Sequence, residues 1–327
     1  MLNESSLKLA VLLIFSFGVA SSALSQSYPT RAIRMIVPNT PGGGTDTVAR
    51  LISQKISPAL GQQIIVENRS GGGGRIAAEL VARAPKDGYT LLLGSVSSLI
   101  TGPAFYPDQT NYDPIKDFSP VTIAGTTSYI LAAHPSVPVK SVKDLIQISR
   151  GKKDSLTYGS TGPGSSAHLG MKLFESMTKV SLIHVPFKGS SPAMTSLTSG
   201  EIDVMFGNYQ ATLGLVRTGR LRALAQSSPS RSTLAPDIPT VSESGVPGFE
   251  LRQIYSVVAP AGVPADIIRR LNQEIVKGLP VEDVRKLMAA QGIEILVSTP
   301  DELGKLLASQ LAIWTKVIRE AGIKEAN

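Results

Sequence analysis

Apolar positions along the chain follow two alternating rhythms. Residues 33–37 form a short, nearly continuous apolar run closed by Pro38, the pattern of a buried strand. From Asp46, apolar residues recur at Val48, Leu51, Ile52, Ile56 and Leu60, a stripe of helical period. The alternation then repeats. A strand at 64–66 leads through Gly71-Gly72-Gly73-Gly74 to a helix carrying Ile76, Ala77, Leu80 and Val81, and an Asp87-Gly88 turn leads to a strand at 89–93. Consecutive strand–helix units of this kind predict a parallel sheet with helices on its faces.

A second group follows the proline-rich segment 103–120. Ser141-x-x-Asp144 resembles a capping box and predicts a helix with Val142, Leu145 and Ile146 inward. Residues 156–158 predict a strand. Ser165 or Ser166 then caps a helix holding Leu169, Leu173, Phe174 and Met177. Strands at 183–186 and 202–206, a helix at 213–218 stopped by Gly219, and a strand at 221–225 complete the group. The proline-rich stretch 227–248, with Gly245 and Gly248, reads as a return linker. Beyond it the pattern predicts a strand at 255–259, a helix from Pro264 carrying Ile267, Ile268, Leu271 and Ile275, a helix around 284–288, and a strand at 293–297. Thr299-Pro300-Asp301-Glu302 starts a final helix whose stripe holds Leu303, Leu306, Leu307, Leu311, Trp314 and Ile318. The layout predicts two α/β lobes, with the C-terminal segment available to rejoin the first.

Composition narrows the function classes. A length of 327 residues fits two domains at about 150 residues each. With 42% hydrophobic and 17% charged residues, the chain is globular rather than disordered. An aromatic share of 5%, with one Trp, argues against binding single-stranded nucleic acid by stacking. The net charge of +7 is scattered through the sequence, with no run longer than pairs such as Lys152-Lys153 and Arg269-Arg270, so no nucleic-acid partner is expected. Such a field suits small anions. The lack of Cys excludes disulfides, Cys-zinc sites, iron–sulfur clusters and a lipoprotein anchor. Lys8, the apolar run 9–20 and the small residues to Ala23-Leu24-Ser25 read as a secretory signal. Cleavage is expected after Ser25, and the run is shorter than the roughly 20 residues of a membrane span. The mature chain is therefore expected to be exported.

Two segments share one design, an apolar strand, a small-residue turn and a helix start. They are Pro38-Asn39-Thr40-Pro41-Gly42-Gly43-Gly44-Thr45-Asp46 and Tyr158-Gly159-Ser160-Thr161-Gly162-Pro163-Gly164-Ser165-Ser166-x-His168. Both leave the carboxyl end of a strand, where open α/β sheets bind ligands, and both expose backbone N–H groups at a helix start. The bland reading, tight turns with caps, explains either alone; two matching loops in two lobes favour one ligand held between them. Enzyme readings find little support. There is no G-x-x-x-x-G-K-[ST] and no G-x-S-x-G. Gly72-x-Gly74-x-x-Ala77 is only the loosest dinucleotide fingerprint, without the acidic residue that should follow about 20 positions on. His134, His168 and His184 are far apart in sequence, and solvated or capping roles suit them better than metal ligation. Asp46 could act as a base, but its place near a helix start is explained by the dipole. No cofactor or metal is expected.

The order of motifs resembles a known family. Tyr28-Pro29, Val37-Pro38, Pro41-Gly42-Gly43-x-x-Asp46, Val66-Glu67-Asn68-Arg69, Asp87-Gly88-Tyr89-Thr90 and Asp117-Phe118 come first. Gly164-Ser165-Ser166-x-His168-Leu169, His184-Val185-Pro186-Phe187-Lys188-Gly189, Gly200-x-x-Asp203-x-Met205-Phe206, Leu221-Arg222-Ala223-Leu224-Ala225 and Ala259-Pro260-Ala261-Gly262 follow in register. From Tyr28 to about Ile323 the chain resembles the substrate-binding receptors of tripartite tricarboxylate transporters, the Bordetella uptake gene family. The resemblance implies an α/β fold of the periplasmic binding protein type II kind, two hinged lobes with a ligand cleft between them. The expected division is a signal peptide at 1–25, a first lobe of 26–126 plus 227–327, and a second lobe of 127–226.

By the same resemblance the protein is a non-catalytic periplasmic receptor, monomeric, that binds a small carboxylate and delivers it to transporter membrane subunits. The alternative is a periplasmic sensor that signals to a histidine kinase. In the family the first turn holds the carboxylate largely through ordered waters, and the second turn touches it directly. Carried over, the ligand residues are Gly42, Gly43, Thr45 and Asp46, then Ser160, Thr161, Gly164, Ser165 and Ser166, with Ser95 and Ser98 lining the cleft. A carboxylate such as Asp46 faces an anionic ligand favourably only with water between them. Three positions depart from the family pattern: Phe187 for a frequent Tyr, Gly207 before Asn208 for a frequent acidic residue, and Tyr255 for a frequent Trp. Phe187 and Asn208 are counted with the ligand residues, although core packing explains Phe187 equally well.

Overall fold

The computed structural model describes residues 28–42, 44–151, 155–187 and 189–320, so the signal segment 1–25 and Gly43 lie outside the described residues. Strands β1 (Ile33–Val37), β2 (Ile64–Asn68) and β3 (Thr90–Gly94) pair in parallel in the order β2-β1-β3. Helices α1 (Gly44–Leu60) and α2 (Arg75–Ala82) connect them. The two faces of the strands serve different helices, because successive side chains point to opposite sides. Met35, Val37, Leu91 and Leu93 share a core with Val48, Ile52 and Ile56 of α1. Ile36 and Leu92 share another with Ala77, Ala78 and Val81 of α2. Ile76, placed by the helical stripe on the inner face, is instead 55% exposed. A π-helical turn at Ser97–Thr101 and a short helix α3 (Gly102–Phe105) follow β3.

Strand β4 (Phe118–Ala133) runs for 16 residues and joins the two parts of the sheet. Residues 118–128 pair antiparallel with β9 (Arg252–Pro260), which also pairs with β3. Residues 129–133 pair instead with β7 (Val204–Asn208), and residues 130–133 also with β8 (Arg222–Gln226). The change of partner falls between Ser128, opposite Arg252, and Tyr129, opposite Asn208. Beside β7 lie β5 (Thr157–Ser160) and β6 (Ile183–Pro186), all parallel. Helices α4 (Val142–Gly151), α5 (Ser166–Thr178), α6 (Ser190–Ser199) and α7 (Tyr209–Arg217) accompany this second group. Neither β4 nor α6 was foreseen from the hydrophobic pattern. Met177, expected in the core stripe of α5, is 38% exposed.

The chain ends with α8 (Ala265–Gly278), α9 (Glu282–Ala290) and α10 (Pro300–Glu320). Ile268, Leu271 and Ile275 of α8 join the core of α1. At the start of α10, Glu302 N–H donates to Thr299 Oγ1 at 3.2 Å while Thr299 N–H donates to Glu302 Oε2 at 2.8 Å, a complete capping box. The strand expected at 293–297 does not form. That segment makes one bridge, Glu294 with Thr126, and is then tied by Ser298 to Thr122 and Ile123. Its neighbour β4 carries register shifts at Pro120/Thr122 and Ile123/Gly125, which break the even spacing a second ladder needs. No helix of the described residues is long and apolar enough to cross a membrane.

Candidate ligand-binding site

The first turn is built around Asp46, whose side chain points inward. Gly42 N–H donates to Oδ2 at 3.0 Å, Arg50 Nε to the same oxygen at 2.9 Å, and Asn68 Nδ2 to Oδ1 at 3.0 Å. Asn68 also donates to Asn39 O at 3.0 Å, so β2 anchors both ends of the turn. Burial alone would raise the Asp46 pKa, but the donors from Arg50, Gly42 and Asn68 hold it below the usual carboxylate range. Gly42 has φ +86°, a conformation that L side chains rarely adopt. Gly44 opens α1 against an aromatic wall, where an added Cβ would lie 2.5 Å from Tyr255 Oη. After β3 the chain folds a serine turn. Ser95 N–H donates to Ser98 Oγ at 2.9 Å, and the Ser95 and Ser97 hydroxyls are 2.9 Å apart.

The second turn uses imidazoles. Gly164 N–H donates to His168 Nδ1 at 3.0 Å, and Ser160 Oγ lies 2.7 Å from His184 Nε2. The two rings stack with centroids 4.2 Å apart, and Tyr158 stacks on His184 at 4.8 Å. Burial, with the neighbouring His184 and Lys172, pushes His168 down to about 3; burial and Lys172 push His184 down to about 4. Both rings are therefore neutral near pH 7, as the acceptor role of His168 Nδ1 requires. Sequence distance had concealed this stacked pair, although the capping role expected of a histidine is met by His168, which accepts the Gly164 N–H at the start of α5. Ser165 is the N-cap of α5, its Oγ accepting from His168 N–H at 3.3 Å.

Two cavities meet at this place. A cleft of about 260 Å³ is lined by Asn39, Thr40, Gly44 and Thr45 from the first turn, Ser95 and Ser97, Thr127 and Tyr129 of β4, Asn208, and Gln253 and Tyr255 of β9. Every side chain in that wall is neutral, so its donors are hydroxyls, amides and the N-terminal backbone of α1. A second cavity of about 610 Å³ continues from Tyr129 and Asn208 between α6 and α7, past Thr161, Ser166, Met194, Met205 and Leu215 to Arg220. Tyr129 lines both cavities and so stands at their junction, with Ser166 beside it on the groove wall.

Of the residues expected from sequence, Thr45, Ser95 and Asn208 line the cleft, and Thr161, Ser166 and Asn208 line the groove beyond it. Asp46 and Ser160 are buried behind the turns, while the exposed Gly42 and the half-buried Gly164 and Ser165 shape them without lining either cavity. Ser98 is wholly buried inside the serine turn. Phe187 packs half-buried against the core around Tyr158 and lines neither cavity. Gly43 lies outside the described residues. The sequence reading missed Thr127, Tyr129 and Gln253, all on β4 and β9. No alternation marks them in the sequence, since Thr126, Thr127 and Ser128 are polar and all buried.

The family model described as "Tripartite tricarboxylate transporter family receptor" matches residues 48–323. The chain is 37% identical over 319 residues to protein BugT of Bordetella pertussis, covering 97% of this chain and 98% of that one. Among solved structures, the adipate-bound Rpa4515 of R. palustris is 36% identical, with a TM-score of 0.76, over 91% of this chain and 99% of that one. MatC of Rhodopseudomonas palustris, solved with bound malate, is 32% identical, with a TM-score of 0.73, over 89% and 100%. The two-part sheet joined by β4 and β9 is thus the two-lobed α/β fold of solute-binding proteins. The chain belongs to the tripartite tricarboxylate transporter family of receptors.

Proposed function

We propose that this protein is a non-catalytic receptor that captures a small carboxylate in the cleft beside Gly44, Thr45 and Ser95 and delivers it to a tripartite tricarboxylate-type membrane transporter. The observation that carries the reading is the cleft wall. It combines the N-terminal backbone of α1 with neutral hydroxyls and amides from both parts of the sheet. Such a wall suits a single anion, because a helix N-terminus supplies partial positive charge without a competing cation. The adipate and malate held by the two solved relatives support a carboxylate as the ligand class. The apolar N-terminal run supports export to the periplasm by a cleaved signal. The partner change of β4 supports lobes of 26–126 plus 227–327 and 127–226, hinged near Ser128. Ligand contacting both lobes then favours the closed form, in proportion to its differential affinity for it.

Thermal unfolding of the mature protein with adipate, malate and matched neutral sugars tests the reading. A carboxylate at 100 times its Kd should add about 2.7 kcal/mol of stability. Stabilisation by a sugar with none by any carboxylate would refute the ligand class.

A further inference from the structure

The groove between α6 and α7 is larger than the cleft and adjoins it, yet a small carboxylate held at the first turn leaves it unused. Its construction is that of a binding channel. On α6, Ala193 and Leu197 turn to the core, while Ser191, Met194, Thr195 and Thr198 turn to the groove, a stripe at helical spacing. Ala211 and Leu215, four apart on α7, form the facing wall, over a floor of the buried Met205 and Phe206. Both helices pack on the sheet rather than on each other, which leaves the space between them open. From Ser191 to Thr198 the groove wall rises about 10 Å, at 1.5 Å per residue. At the far end stands Arg220, among the described residues the groove's only charged side chain, exposed and in no ion pair with any of them.

We propose that the groove takes the distal half of an elongated α,ω-dicarboxylate. One carboxylate sits in the cleft, the methylene chain lies along Met194, Met205 and Leu215, and the second carboxylate meets Arg220. Two features single out this occupant. The groove and the cleft adjoin, sharing Tyr129 and Asn208 in their walls, so one molecule lying past these two side chains would reach both. The apolar middle with a free cation at its end complements a chain that is apolar in the middle and anionic at its end. The inference rests on the carboxylate reading of the cleft.

Calorimetry with succinate, adipate, suberate and sebacate, alongside butyrate and octanoate, separates the two. In the native protein affinity should rise from succinate to suberate, up to about fourfold for each methylene buried. Suberate should also bind more tightly than octanoate. Arg220→Gln should weaken suberate about fivefold, the value of one exposed ion pair, and leave octanoate unchanged. Ala211→Trp, at an exposed position, should fill the groove and reduce suberate to the level of succinate while butyrate binds as before. If the short acids bind but suberate is no tighter, or if Arg220→Gln weakens every acid equally, the groove is not part of the site and the cleft reading stands. If no carboxylate of any length binds, both readings fall.

Discussion

Asp46 and His168 occupy matching places in the two turns. Each is the third residue of the helix that follows a strand and a small-residue turn, and each accepts the backbone N–H of the glycine four residues earlier, at 3.0 Å. Both glycines, Gly42 and Gly164, have positive φ. The geometry is repeated, but the acceptor is not. The first turn is closed by a carboxylate held ionised by Arg50, Gly42 and Asn68, and the second by a neutral imidazole stacked on another. One architecture has therefore been met by two chemistries with opposite responses to acid.

Acid should give the largest effect and separate the turns. An unfolded histidine gains its proton near 6.5, whereas His168 and His184 stay neutral to about 3 and 4. Between pH 6.5 and 4 the unfolded chain binds more protons than the folded one. Stability must then fall as pH falls, by about 1.4 kcal/mol per pH unit for each proton taken up. Asp46 behaves differently. Its folded pKa lies below the ordinary 3.8, so its contribution persists through this window and is lost only as pH drops below it. Urea unfolding across pH 7 to 4 should show the fall, and His168→Leu with His184→Phe should flatten it. An equally steep slope in that double variant would remove the imidazole pair as its cause.

Substitution at the acceptors themselves should rank next. Asp46→Ala strands the Gly42 N–H and the Asn68 amide and frees Arg50, at a cost of about 3 kcal/mol. His168→Ala strands one backbone N–H and leaves a gap in the stack, at about 2 kcal/mol. Unfolding midpoints in urea at pH 7.5 would order them. If His168→Ala proved the more costly, the ring stack rather than the accepted hydrogen bond would be what holds the second turn.

These contrasts also show what the amino-acid pattern could and could not reveal. Strands β1 and β3 stand out as apolar runs because both their faces are buried, and helices α1, α5, α8 and α10 follow apolar spacing because each buries one regular face. Strand β4 hides from that logic. Its Thr122, Thr126 and Thr127 are buried polar residues whose hydroxyls bond to backbone, and Ser128 is buried beside them, so nothing alternates along much of it. Helix α6 hides for another reason, since Ser190-Ser191-Pro192-Ala193-Met194-Thr195-Ser196 is poor in helix formers and its stability comes from packing. The site was half legible for the same cause. Turn residues announce themselves through glycines and caps, while Tyr129 and Gln253 reach the cleft from strands whose partners are more than 70 residues away in sequence.

The smallest effect divides two adjacent serines of the second turn. Ser165 caps α5 and lines neither cavity, while Ser166 lines the groove together with Tyr129, which also lines the cleft. Ser165→Ala removes the side-chain acceptor for His168 N–H and should cost about 1 kcal/mol of stability with ligand affinity unchanged. Ser166→Ala leaves the cap in place, so its effect on stability should be smaller. It removes a hydroxyl donor from the groove wall beside Tyr129, and so should weaken carboxylate binding by a few fold, about the value of one neutral hydrogen bond. Melting temperature and calorimetric Kd, measured on both variants, place each serine on its own axis. Loss of affinity in Ser165→Ala equal to that in Ser166→Ala would mean that the second turn moves as one unit. The cap and the contact would then not be separable roles.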